Sequence, residues 1–415
     1  MKKIKITGNN IEDLLINLGQ ITLEVTDACN LKCKYCAYGD LYSGYDVREN
    51  KYLSFETVKT LIDYLSELWK SKISTSQIPK THIGFYGGEP LMNIKLIKKT
   101  VEYIENLNIR RNFAFIMTTN AMLLDRYMNF LVEKKFNLLI SLDGDSEGQS
   151  YRVNHSGRNS FDIVYRNVKL LQAKYPQYFE EHVEFNSVLH NRNSVERTFT
   201  FIKNEFAKKP TIAELNSFGI REDKIDEFYA TYNNKAKSLY SSDNCDKLSD
   251  EMFVGVPQTK ELFSFLKYYS GNVFVNYNYL LFDKSKLKYI TTGTCSPFSR
   301  KLFLTVNGKI IQCERIHHSF ALGNVENGKV NLDFEYVATR FNAYLDKLYK
   351  QCLTCFRKQY CNQCFYSIPG IDGEKPTCNS FMNKEDFEEY KMRCLNHLNK
   401  YPKLYKKLMT EAFTE

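Results

Sequence analysis

Between residue 20 and about residue 240, short apolar runs alternate with longer stretches in which apolar residues recur every three or four positions. The short runs, "ITLEVT", "THIGFYGG", "FAFIMTTN", "FNLLISLDG", "HVEFNSVL" and "TIAELNSF", have the length and β-branched or aromatic content of strands. The longer ones, "SFETVKTLIDYLSELW", "NIKLIKKTVEYIENL", "MLLDRYMNFLVEKK" and "SFDIVYRNVKLLQAKY", predict amphipathic helices, with Ser54 and Asn93 as N-caps. Strands alternating with helices build parallel sheets through right-handed crossovers. The expected fold is therefore α/β, a partial TIM-like (β/α)6 barrel over residues 20–240, preceded by an N-terminal extension at 1–19.

Past residue 240 the alternation fades into "SSDNCDKLSDEMFVGVPQTK", a polar stretch read as a linking or bridging region at 241–289 that includes a helical "ELFSFLKYYS". The chain then changes character. In "TGTCSPFSRKLFLTVNGKIIQCERI" two apolar strands flank Asn-Gly, the signal of a two-residue hairpin. "CLTCFRKQYCNQCFYSI" follows, dense in thiols and poor in core-forming residues, a composition that needs metal to fold. A cysteine-rich domain is expected at 290–395 and a closing helix at 396–415.

Composition narrows the chemistry. With 415 residues, 43% of them hydrophobic and 14% aromatic, the chain has material for a large core plus an added module. No apolar stretch is long enough to span a membrane and the start lacks a signal-peptide core, so a cytoplasmic location without a membrane partner is expected. The net charge of +9 is spread along the chain, without the block of like charges that would mark a nucleic-acid partner. Eight of the twelve cysteines lie beyond residue 290, and clustered thiols in a reducing compartment hold metal more often than they form disulfides.

The sharpest local signal is "CNLKCKYC", where Cys29, Cys33 and Cys36 follow the first strand. Four ligands close a structural zinc or iron-sulfur site; three leave one metal corner open for a small molecule. This loop, "YGGEP", "TTN" and "SLDGD" all fall at the carboxyl ends of predicted strands, where barrels of this kind gather functional groups.

The C-x3-C-x2-C spacing, the aromatic Tyr35 before its last cysteine, and "YGGEP" after the second strand resemble the radical S-adenosylmethionine (radical SAM) superfamily. That resemblance implies a 4Fe-4S cluster on Cys29, Cys33 and Cys36. Its open iron is chelated by S-adenosylmethionine, which is split reductively to a 5'-deoxyadenosyl radical. It further implies that Gly87, Gly88 and Glu89 hold the methionine ammonium, and that Thr119, Asn120, Ser141, Asp143 and Arg152 contact ribose, adenine and carboxylate.

The tail, Cys295-x12-Gly308-x4-Cys313, then Cys352-x2-Cys355-x5-Cys361-x2-Cys364, then Cys378, resembles the SPASM extension, which holds two auxiliary 4Fe-4S clusters. Cys361 and Cys364 stand one residue closer than in the family pattern. The family's wiring implies Cys295, Cys313 and Cys364 on an inner cluster and Cys352, Cys355, Cys361 and Cys378 on an outer one. The inner set then either recruits Cys394 or leaves an iron open. Cys245 reads as a plain thiol, and His317 with His318 as a capped surface pair.

Three clusters and S-adenosylmethionine are thus the expected cofactors. The expected partners are a precursor peptide and a reductant such as flavodoxin or ferredoxin. With 28 residues ahead of Cys29, leader recognition would fall to a separate leader-binding protein or another surface, or would not be needed. The leading expectation is a maturase installing a thioether or carbon-carbon crosslink in a ribosomally made peptide. The alternative is an anaerobic sulfatase-maturating enzyme forming formylglycine, although "CNQCFYSI" lacks the glycines usual there. A more remote alternative is a zinc-dependent nucleic-acid-binding protein, which leaves the first cysteine loop unexplained.

Overall fold

The structure is a computed structural model that describes residues 5–76, 79–269, 292–358 and 361–411. It divides into two compact units, Gly8–Ser242 with Ser296–Val337, and Met1–Thr7 with Asp243–Cys295 and Ala338–Glu415.

In the first unit the six predicted strands all form: β1 (Gln20–Thr26), β3 (Lys80–Gly87), β4 (Asn112–Thr119), β5 (Asn137–Ser141), β7 (Val183–Leu189) and β8 (Thr211–Glu214). They lie side by side in chain order and every neighbouring pair is parallel. Residues 21–26 of β1 are all buried, as expected of a strand covered on both faces. Two short strands outside this sheet, β2 (Leu31–Cys33) and β6 (Arg152–Asn154), pair antiparallel, with Cys33 opposite Arg152.

The predicted helices appear as α2 (Phe55–Ser71), α3 (Ile94–Glu105), α4 (Leu124–Glu133) and α5 (Phe161–Lys174), after α1 (Gly8–Ile16) in the N-terminal extension. The buried residues of α2 (Val58, Leu61, Ile62, Leu65) and of α5 (Val164, Val168, Leu171) follow the three-and-four spacing read from the sequence. Ser54 caps α2 through its hydroxyl, which accepts from Thr57 N at 3.0 Å. Asn93 occupies the cap position of α3 without capping it, because its amide donates to the Val25 carbonyl at 2.8 Å.

The segment after Cys295 departs from the expectation of a separate module beginning near residue 290. Strand β9 (Leu302–Leu304) pairs parallel with β1, Ile21 to Leu302, and β10 (Lys309–Ile311), β11 (Gly323–Glu326) and β12 (Lys329–Asn331) extend the same sheet antiparallel to ten strands. The apolar Leu302, Phe303 and Leu304, all fully buried, find their cover on the open edge of β1. The Asn-Gly turn is also wider than predicted. Thr305 N donates to Lys309 O and Gly308 N to Thr305 O, which leaves a three-residue loop with Gly308 at φ +77°.

The second unit is helical among its described residues. Part of the expected linker folds as helices Cys245–Glu251 and Pro257–Tyr269, whereas residues 270–291 lie outside the described residues. The closing segment forms two helices, Lys384–Lys400 and Pro402–Glu411. Phe253, Leu262, Phe265, Leu266, Phe387, Tyr390 and Leu408 pack together as its apolar core. Among the described residues no helix is long and apolar enough to cross a membrane.

A Cβ at Gly308 would lie 2.5 Å from the Val325 carbonyl oxygen, on a backbone that side chains rarely adopt. Gly308→Ala is expected to lower the unfolding free energy by about 1–3 kcal/mol, read from the urea midpoint.

Candidate active site

Each unusual sequence segment leaves the carboxyl end of a parallel strand: the cysteine loop after β1, Gly-Gly-Glu at the end of β3, Thr119 and Asn120 at the end of β4, and Ser141 and Asp143 at the end of β5. Gly87 takes φ +130°, and a Cβ there would lie 2.1 Å from the Thr26 carbonyl oxygen. At Gly88 a Cβ would lie 2.0 Å from the Ala28 carbonyl oxygen. Only glycine lets β3 run this close to the entry of the cysteine loop.

Glu89 has no exposed surface. Its Oε1 accepts from the Thr119 hydroxyl at 2.7 Å and from Leu91 N at 3.1 Å, and its Oε2 from Asn120 N at 2.8 Å. Burial pushes its pKa up to about 7 despite these donors. Thr119 therefore faces Glu89, and Asn120 donates from its side chain to Asn30 Oδ1 at 2.7 Å in the cysteine loop. Thr119 and Asn120, expected among the contacts to ribose, adenine and carboxylate, here hold the Glu89 carboxylate and the cysteine loop.

Asp143 is likewise fully buried and already saturated. Arg152 grips it with Nε to Oδ2 at 2.9 Å and Nη2 to Oδ1 at 3.1 Å; the Tyr35 hydroxyl donates to Oδ2 and Val188 N to Oδ1 at 2.8 Å. Asp143, expected among the contacts to ribose, adenine and carboxylate, is here a buried carboxylate that positions Tyr35 and Arg152. His190, which sequence reasoning missed, is buried and stacks on Tyr35 with centroids 5.5 Å apart. Its distance of 155 residues from Tyr35 left no local signal. Ser141 is buried at the strand end.

The three thiols of the loop lie within electrostatic reach of one another. Burial pushes the Cys29 thiol up to about 11 and the Cys33 thiol up to about 12. Packed soft donors that resist ionisation alone fit a site completed by a multivalent cation. Asn120 and His155 reach the same loop, His155 Nε2 lying 2.8 Å from the Cys29 carbonyl.

These features match known proteins. Residues 23–202 fit the Radical SAM superfamily. The chain carries a radical SAM domain over those residues. It is 27% identical over 231 residues to the radical SAM cyclopropyl synthase TigE of Paramaledivibacter caminithermalis, covering 53% of this chain and 46% of TigE. It is 23% identical over 397 residues to a cysteine-type anaerobic sulfatase-maturating enzyme of Clostridium perfringens, covering 90% and 96% of the two chains. The alignments to TigE and to the uncharacterized protein MJ0907 of Methanocaldococcus jannaschii (30% identical) cover about half of each, 46% and 57%. In fold, the chain superimposes on native anSMEcpe with bound AdoMet at TM-score 0.63 and 17% identity, covering 95% of this chain and all of the other. Radical SAM enzymes use S-adenosylmethionine and a 4Fe-4S cluster, and the half-buried thiol triad fits that group.

In the second unit Cys352, Cys355, Cys361 and Cys378 line one enclosed cavity with Thr292, and burial together with the neighbouring thiols pushes Cys352 up to about 12. Cys295 and Cys364 are electrostatic neighbours, and beside them the Thr294 hydroxyl accepts from Phe365 N at 2.8 Å. Cys313 belongs to the barrel unit, two residues past β10. Cys394 is 2% exposed inside the apolar core of its unit, with Tyr390, Glu261 and Arg393 as its polar neighbours. The structure thus brings the four outer-set thiols together and buries Cys394 among aromatic side chains. Cys245 begins a helix, its Sγ 3.9 Å from Ser249 Oγ. His318 is buried, with Nδ1 held by Asp46 N at 3.2 Å, in place of the expected surface pair.

Two outcomes follow from this geometry. Burial pushes both Glu24 and Glu89 from an ordinary 4.5 up to about 7. Acids with raised folded pKa bind more protons folded than unfolded, so their ionisation lowers stability as pH rises from about 4.5 to about 7, with no further change above. Thermal midpoints across that window are expected to fall in wild type and to fall less in Glu89→Gln. Cys394→Ala is expected to lower stability by about 1–2 kcal/mol through lost packing while iron per chain stays at the wild-type value. A drop in iron would return Cys394 to the ligand set.

Proposed function

We propose that this radical SAM enzyme modifies a peptide, installing a thioether or carbon-carbon crosslink, and that it carries three 4Fe-4S clusters. The observation that carries the reading is the pairing of two thiol sets in one chain: the triad at the barrel mouth and the four thiols around one cavity in the tail. S-adenosylmethionine held at the triad would supply a 5'-deoxyadenosyl radical to abstract hydrogen from the bound peptide.

The chain's own residues divide the work. Cys29, Cys33 and Cys36 hold the first cluster. Glu89, desolvated and held by Thr119, Asn120 and Leu91, presents an anion to the methionine ammonium over the Gly87-Gly88 backbone. Arg152, fixed on Asp143, and Ser141 lie at the strand ends on the cosubstrate side. Cys352, Cys355, Cys361 and Cys378 hold the outer auxiliary cluster, and Cys295 with Cys364 belongs to the inner one.

Peptide work is supported by the relatives, since one similar fold is native anSMEcpe with bound AdoMet and Kp18Cys peptide, TM-score 0.61. The same likeness favours a second reading, formylglycine formation on a sulfatase, because the alignment to the Clostridium perfringens enzyme runs over 90% of this chain. Incubation with a sulfatase-derived cysteine peptide separates the two by mass: loss of the thiol to an aldehyde marks the second.

Anaerobically reconstituted protein is expected to hold about twelve irons per chain. Mainly zinc, or about four irons, would defeat the three-cluster reading. Substituting the triad with alanine should abolish 5'-deoxyadenosine formation. Cys355→Ala or Cys361→Ala should lower the yield of folded protein and leave cosubstrate cleavage uncoupled from peptide modification. Glu89→Gln should weaken S-adenosylmethionine binding by roughly 1.5–3 kcal/mol, measured by equilibrium binding.

A further inference from the structure

The barrel unit contains a buried guanidinium edge with no acceptor. Arg48, on the loop between β2 and α2, lays its Cζ 4.2 Å over the ring of Tyr38, two residues past Cys36. Its Nε and Nη2 are buried and have no hydrogen-bond partner. Glu24, within electrostatic reach of Arg48 and Asp27, does not close on it, for its Oε2 accepts from Val306 N at 2.9 Å; Asp27 Oδ2 accepts from Glu49 N at 3.0 Å.

Three neighbouring groups share the condition. The Tyr38 hydroxyl, His318 Nε2 and Asp27 Oδ1 are buried without partners. His318, 3% exposed, stands edge-on to Tyr38 with centroids 6.4 Å apart. Unmatched polar groups are unfavourable inside a protein, so their concentration at one place marks a surface that a ligand completes.

Arg152 shows what this edge does in the same unit: Nε and Nη2 grip both oxygens of Asp143. Arg48 presents the same two nitrogens, the side-on fork that fits a carboxylate. The location suits a reactant. Arg48 acts electrostatically on Cys29, and the Tyr38 ring beneath it lies two residues past Cys36.

We propose that Arg48 is a carboxylate-recognition residue, its Nε and Nη2 receiving a carboxylate of a bound reactant over the Tyr38 ring, with His318 Nε2 and the Tyr38 hydroxyl beside it. The proposal rests on the reading of this mouth as the place where S-adenosylmethionine and peptide meet. The carboxylate comes from either one: the methionyl end of the cosubstrate, or an acidic group of the peptide.

The test compares wild type, Arg48→Lys and Arg48→Met, each reconstituted anaerobically, in equilibrium binding of two probe pairs. One pair is S-adenosylmethionine and its decarboxylated analogue. The other is a set of short synthetic peptides carrying one Glu and the same set carrying Gln. Arg48→Met is expected to reduce the preference for the acid member of one pair roughly ten- to hundredfold, and Arg48→Lys to restore part of it. Loss confined to the first pair assigns the carboxylate to the cosubstrate; loss confined to the second assigns it to the peptide. Unchanged preference in both pairs overturns the proposal, and so does an equal weakening of acid and neutral members, which a purely structural role would give. Release of 5'-deoxyadenosine by wild type under dithionite tests the radical reading separately.

Discussion

A carboxylate with no exposed surface holds the mouth of this barrel together. Asp143, two residues past β5, receives Arg152 from β6, Tyr35 from the cysteine loop and Val188 N from β7, and is saturated by them. Because β6 pairs with β2, with Arg152 opposite Cys33, the same residue fixes the loop by two routes. A buried ion pair of this kind is weak evidence for stability, yet removing one partner leaves an uncompensated charge and costs about 3–5 kcal/mol. Its use here is geometric: it sets where three thiols stand relative to the ends of the strands.

Glu89 works on the same principle from the other side of the loop. Three donors hold its oxygens, and burial still pushes its pKa up to about 7, so the group is poised between neutral acid and anion. A cationic partner would draw it to the charged form. The glycines before it matter because backbone, not side chain, meets the loop: at both positions a Cβ would collide with a carbonyl oxygen. The thiols, the carboxylate and the close backbone approach thus depend on one another, and a change at any of them moves the rest.

The tail follows a different logic. Its aromatic core is built from the helices Pro257–Tyr269 and Lys384–Lys400, while the buried apolar residues of the thiol-bearing segment at 352–378 include Phe365, Tyr366, Ile368 and Ile371, besides Cys355. Order there is expected to come from metal, and Cys394, on the aromatic side, behaves as a small apolar residue.

Periodicity in the sequence determined the six parallel strands, the helices between them and the placing of each motif at a strand end, because burial on one helical face or on both strand faces imposes a repeat of a few residues. Cysteine spacing determined the triad, since one loop brings its own thiols together. Tertiary structure alone decided what those motifs touch. Thr119 meets Glu89 across 30 residues and Tyr35 meets Asp143 across 108, pairings set by strand register that no local pattern encodes. The hairpin after Cys295 read as part of another module but lies against β1, because an edge strand accepts any apolar partner of suitable length and nothing in "LFLTVNGKII" names which edge. Cys394 and His318 carried chemistry by residue type. Their neighbours, an aromatic core for one and Asp46 with two tyrosines for the other, came from distant segments, and a side chain's role is set by what surrounds it.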